Sequence, residues 1–235
     1  MLNNSQYIHL TIADGTTMAA YVSLPEDTGK PVPGLILLQE AYGVNHHIRS
    51  VADRYAAQGF AVIAPELFHR DAPEHFEGAY GDFAQVMPFM QALTAEGLTA
   101  DLQAAYHWIA THAQVNHERI YSIGYCMGGR VSFLANAVLP LKAAVSYYGG
   151  RTHELAHLAG DLHGPHLFFW GGQDEHIRPE HIKTVTGALD AAGKDYINVV
   201  ISYAGHAFNS DERPSYNKKA ADEALALTLA FLAEN

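Results

Sequence analysis

The chain has 235 residues, 49% apolar and 17% charged, enough apolar material for a core and too little charge for a disordered chain. Lys and Arg number 14 against 25 Asp and Glu, and the formal charge of −11 leaves no basic face for nucleic acid or an anionic membrane. A single cysteine excludes an internal disulfide framework and any CxxC metal or redox site. Met1 to Leu10 lacks the basic patch and apolar run of a signal peptide, and no stretch approaches about 18 consecutive apolar residues. The expectation is a soluble, cytoplasmic protein, monomeric, built as one α/β domain over residues 1–235.

Strand-like and helix-like runs alternate along the chain. Tyr7–Ala13 and Thr17–Leu24 read as two strands joined by the hairpin dipeptide Asp14-Gly15. Gly34–Gln39 is a continuous apolar run suited to a strand buried on both faces. His46–Gln58 carries helical spacing in Ile48, Val51, Ala52 and Tyr55, with Gly59 closing it. Phe60–Ala64 is a second buried strand, Leu67–Gly81 an irregular loop, and Phe83–Ala95 and Leu98–His112 are helices. Ile120–Gly124 leads into the helix Met127–Val138, and Ala143–Tyr147 leads through a loop to the strand Leu167–Trp170 and the helix Pro179–Ala192. Tyr196–Ser202 and the helix Tyr216–Ala233 complete the chain. Such alternation predicts a mostly parallel sheet with helices on both faces.

One segment carries nucleophile chemistry. Gly124-Tyr125-Cys126-Met127-Gly128 lies where a strand gives way to a helix, and it reads as the G-x-S-x-G nucleophile elbow with Cys in place of Ser. The sharp turn needs small neighbours, and the helix N-terminus favours a thiolate. Asp174 follows the strand ending at Trp170, and His206 follows the last strand. The order Cys126, Asp174, His206 is that of nucleophile, orienting acid and base.

With those residues assembled, the chain resembles the dienelactone hydrolase family of α/β-hydrolase-fold proteins. The matching segments are Gln39-Glu40-Ala41-Tyr42-Gly43-Val44-Asn45, Gly124-Tyr125-Cys126-Met127-Gly128-Gly129, Gly171-Gly172-Gln173-Asp174 and Gly205-His206-Ala207-Phe208. The resemblance implies an α/β-hydrolase fold and a hydrolase of carboxylic esters or lactones acting through a covalent acyl-enzyme on Cys126, with no cofactor. It implies that Glu40 holds the resting thiol and helps generate the thiolate, and that the backbone N–H groups of Met127 and Ala41 form the oxyanion hole. The family's dienelactone-cleaving members grip a substrate carboxylate with two arginines. Ser210 stands at one of those positions, and no Lys or Arg occurs between Arg70 and Arg119 to supply the other. Arg70 and Arg213 are the remaining candidates, with Tyr42 and Tyr125 as pocket walls. The substrate is therefore expected to be a small, less charged ester or lactone.

A rival signal lies at His153–His163. HELAHLAGDLH matches the H-E-x-x-H-x-x-G-x-x-H zinc signature of metzincin proteases, with Glu154 as general base and His153, His157 and His163 as ligands on a helix. Those proteases need a Met-turn downstream, and no methionine follows residue 163. No metal is assigned, and zinc-dependent hydrolysis stands as the alternative, beside a non-catalytic binding protein on the same fold.

Overall fold

The computed structural model describes residues 4–235. The reading of Met1–Leu10 as free of a targeting signal therefore falls partly outside the described residues. Among the described residues, no helix is long and apolar enough to cross a membrane. The chain divides into two compact units, one through Tyr121 and one from Ser122.

In the first unit, β1 (Asn4–Thr11) and β2 (Thr17–Leu24) pair antiparallel, with Thr11 opposite Thr17. The turn is where the Asp-Gly dipeptide placed it. Asp14 accepts a hydrogen bond from the Thr16 N–H at 2.9 Å, and Gly15 takes φ +86°. β2 pairs antiparallel with β4 (Ala61–Pro65), and β4 pairs parallel with β3 (Val32–Leu38). The order is β1-β2-β4-β3-β5. Every residue of β4 is buried, as is β3 from Gly34 onward, so both read as apolar runs without alternation.

Helix α1 (His46–Ala57) starts at Asn45, whose side chain accepts from the Ile48 N–H, and it turns Ile48, Val51, Ala52 and Tyr55 inward. It packs on β4 and β2. After α2 (Phe83–Ala92), Thr94 caps α3 (Ala95–Thr111), which packs on β3 and β4.

β5 (Val115–Tyr125) runs from the first unit into the second and feeds α4 (Met127–Val138). β6 (Ala143–Tyr147), β7 (His166–Gly171) and β8 (Tyr196–Ile201) follow in parallel, giving the order β5-β6-β7-β8. α5 (Pro179–Ala192) connects β7 to β8, and α6 (Lys218–Glu234) ends the chain, packing on β7. This is the expected α/β fold with a mostly parallel sheet, in which β2 pairs antiparallel with β1 and β4.

The segment carrying the zinc-like signature reads as a loop between strands, and its zinc reading needs an α-helix. Thr152–Asp161 is a 3-10 helix, not an α-helix. At three residues per turn, positions i and i+4 no longer share a face. His153 stacks on His181 of α5 with ring centroids 3.9 Å apart, His157 Nδ1 bonds the Glu154 carbonyl oxygen, and Glu154 pairs with Arg151. Among the described residues, no group of three or more His, Cys, Asp or Glu side chains is arranged to hold a metal ion.

Candidate active site

The turn between β5 and α4 is built from close backbone contacts. Cys126 sits at φ +53°, ψ −114°, a conformation that L residues rarely adopt. A side chain at Gly124 would place its Cβ 1.8 Å from the Gly128 carbonyl oxygen, and one at Gly129 would lie 2.8 Å from both Gly149 Cα and the Tyr147 carbonyl oxygen. The strained residue is held from β6, because the Cys126 N–H donates to the Tyr147 carbonyl at 3.0 Å. Cys126 is half-buried, so its sulfur is both confined and reachable. Met127 opens α4, and its N–H is among those a helix start leaves without an intrahelical partner.

His206 meets Cys126 from a loop 80 residues further along: its Nε2 lies 3.1 Å from Sγ. Its Nδ1 lies 2.7 Å from Asp174 Oδ2. Asp174 follows the C-terminal end of β7, and its other oxygen accepts from the N–H groups of His176 (2.8 Å) and Ile177 (3.2 Å). Burial by itself would push the Asp174 carboxyl up. The bond and charge of His206, with those two backbone donors, outweigh it and hold the group below the usual carboxylate range. For His206, burial works against the charged ring, but the neighbouring Cys126 sulfur and the Asp174 carboxylate, by charge and hydrogen bond, prevail and push it up to about 10. The rings of Tyr148 and exposed His176 each lie 5.2 Å from the His206 ring, edge-on. All three residues predicted as nucleophile, base and orienting acid thus converge.

The other candidates lie on separate elements. Glu40 and Ala41 follow β3, each 1% exposed. Gln39 donates to the Glu40 carbonyl at 3.4 Å and accepts from the Leu67 N–H at 3.0 Å, which ties this turn to the chain after β4. Tyr42 is buried in an apolar cluster with Ala41 and Val86, its ring edge-on to Tyr80 at 4.9 Å. Tyr125 is buried with its ring 4.7 Å from Tyr147. Ser210 is fully buried, and the Arg213 N–H donates to its carbonyl at 3.1 Å.

Arg70 is engaged elsewhere in the fold. Its guanidinium spans both oxygens of the fully buried Asp101 at 2.8 and 2.9 Å, and its Nε–H donates to Asp14 at 2.8 Å. The fork that would clamp a substrate carboxylate is occupied, so we assign Arg70 a tie between α3 and the β1–β2 turn and no substrate contact.

Sequence reasoning passed over the residues of β6 that support the elbow. Tyr147 supplies the carbonyl that holds Cys126, and Ser146 donates to the Gly129 carbonyl at 2.5 Å. The available signal was a lone serine among the large and apolar residues of Ala143–Tyr147.

The comparisons with known proteins point one way. The model of the dienelactone hydrolase family matches residues 18–235. An Escherichia coli K12 protein, provisionally named a carboxymethylenebutenolidase, is 37% identical over 224 residues, covering 90% of this chain and 80% of that protein. The carboxymethylenebutenolidase of Pseudomonas putida is 30% identical over 224 residues, covering 94% and 92%. Among solved structures, a Klebsiella pneumoniae protein provisionally named a dienelactone hydrolase superimposes with a TM-score of 0.92 at 31% identity over the whole of both chains.

Proposed function

The chain belongs to the dienelactone hydrolase family and is a hydrolase, and on that premise we propose that it cleaves a carboxylic ester or lactone through a Cys126–His206–Asp174 triad. Two distances carry the proposal: 3.1 Å from sulfur to His206 Nε2 and 2.7 Å from His206 Nδ1 to Asp174. The Cys126 thiolate attacks the substrate carbonyl carbon, and the carbonyl oxygen takes the negative charge. The Met127 N–H stabilises that oxyanion; losing one such donor costs roughly 2.7–4 kcal/mol of barrier in a comparable hydrolase. As the tetrahedral intermediate collapses, the C–O bond breaks and the His206 imidazolium gives its proton to the departing alkoxide. Neutral His206 then takes a proton from water, whose oxygen attacks the thioester carbonyl and releases the acid and the thiolate. Asp174 fixes the ring and stabilises its charged form.

By the family's motif, the Ala41 N–H is the second oxyanion donor, and Glu40 engages the resting thiol and helps generate the thiolate. Both assignments rest on the match at residues 39–45. Tyr42 and Tyr125 are the aromatic walls, on the basis of their places beside strand ends. Arg213 is the remaining cation for a substrate carboxylate, and neither it nor Ser210 stands in for the family's paired arginines. The natural substrate is therefore a small ester or lactone without a carboxylate at that place.

The test is hydrolysis of p-nitrophenyl acetate by the wild type and by Cys126→Ala, with and without a chelator. Loss of at least about 10³-fold in the variant, with no effect of chelator on the wild type, is expected. Equal turnover by both proteins overturns the cysteine mechanism, and loss of wild-type turnover in chelator transfers the chemistry to the histidines at 153–163.

A further inference from the structure

His166 opens β7 and is fully buried, its ring stacked on Phe168 at 4.2 Å between centroids and 5.5 Å from that of Phe133. It takes no part in the triad, yet every polar atom around it is committed. Its Nε2 lies 2.8 Å from Ser146 Oγ, and its Nδ1 lies 3.3 Å from Asn136 Nδ2. The Ser146 hydroxyl has one proton, and that proton goes to the Gly129 carbonyl at 2.5 Å. Ser146 must then accept from His166, so Nε2 carries the ring proton and Nδ1 carries the lone pair. Asn136 is consistent with this assignment: its amide nitrogen donates to the Gly164 carbonyl at 2.9 Å and to Nδ1, while its oxygen accepts from the Gly164 N–H at 3.0 Å. A second ring proton would face the Asn136 N–H, donor against donor. Burial also holds the ring neutral, pushing His166 down to about 3.

Gly129 and Asn136 are both on α4, seven residues apart and hence about two turns along one face. His166 therefore reaches the helix at two heights, once directly and once through Ser146. Ser146 and Tyr147 are adjacent on β6, and they grip the elbow at Gly129 and Cys126 respectively. Resting on the cysteine reading above, we propose that His166 and Ser146 are positioning residues for the nucleophile: a chain of hydrogen bonds from His166 Nε2–H through the Ser146 hydroxyl to the Gly129 carbonyl sets where α4 begins, and so where the Cys126 sulfur stands relative to His206. The 3.1 Å contact between those two groups is the distance the chain protects.

The test uses Ser146→Ala, Ser146→Thr and His166→Phe, each checked for folding by circular dichroism. Cys126 is the only thiol, so its alkylation by iodoacetamide reports the elbow without any substrate. Ser146→Ala and His166→Phe are expected to lower kcat about tenfold with KM within about twofold, and to slow alkylation, as the loss of one buried hydrogen bond at a positioned group would. Ser146→Thr, which keeps the hydroxyl, restores both. A folded Ser146→Ala protein with wild-type kcat and alkylation rate overturns the proposal. Nitrogen-15 NMR of the wild type tests it with no variant: His166 is expected neutral and protonated on Nε2 from pH 5 to 9, and a proton on Nδ1 or a titration in that range overturns it. Retained turnover in Cys126→Ala would sink the cysteine mechanism alone, because alkylation and NMR still decide whether the chain of bonds positions the elbow.

Discussion

His206 and Asp174 bond at 2.7 Å across the ends of two parallel strands, and the Asp174 side chain has no exposed surface while that of His206 has 14%. The pair favours the charged form of both groups. His206 is pushed up from 6.5 to about 10, so its contribution to folding is complete below about pH 6.5 and is lost as pH rises through about 10. Asp174 is held down, so its contribution is present above its ordinary value of 3.8 and is lost as pH falls through its lowered one. Asp174→Asn should therefore lower the His206 titration followed by NMR and reduce kcat by about 10³-fold or more. An unchanged His206 titration in that variant would show that the carboxylate does not hold the ring.

Cys126 occupies a backbone conformation that suits glycine, at φ +53°. Any side chain there costs of order 1–3 kcal/mol of strain, which the Tyr147 carbonyl and the close packing of Gly124 on Gly128 sustain. Among inactive variants, Cys126→Gly should be more stable than Cys126→Ala by about 1 kcal/mol in urea unfolding, because only glycine relaxes at that φ. Equal stabilities would mean that the turn stores no strain.

Arg70 gives the third prediction. Removing it leaves the fully buried Asp101 with His69, whose Nε2 lies 3.0 Å away, and without its bidentate partner. Arg70→Ala should destabilise the protein by about 3 kcal/mol and leave KM for a neutral ester unchanged. A large rise in KM with little change in stability would return Arg70 to substrate binding.

Most of the architecture was legible because it is written in local pattern. Met127–Val138, Ala143–Tyr147 and Pro179–Ala192 fall at the predicted bounds, where helical spacing or a buried apolar run meets a clear stop. β5 begins at Val115 instead of Ile120, because Asn116, His117 and Glu118 look like loop residues while their backbone extends the strand. The 3-10 helix at 152–161 lies where the sequence reads as a loop between two strands; it packs on α4 and α5, and no local pattern records that packing. The convergence of Cys126, Asp174 and His206 was readable because strand ends carry the chemistry in this kind of sheet. Its supports were not. His166, Ser146, Asn136 and Gly129 come together only through the fold, and His166 alone looks like any of the 15 histidines.

His206 follows Cys126 by 80 positions in the chain, and that separation sets a schedule. A ribosome adding about 5–20 residues per second makes the cysteine roughly 4–16 seconds before it makes the imidazole that lies against it. Throughout that interval the growing chain has the sulfur without the ring that comes to lie 3.1 Å from it, so their contact exists only once residue 206 has been added. On the mechanism proposed above, the order in which the three side chains leave the exit tunnel would thus delay acylation of the nascent protein.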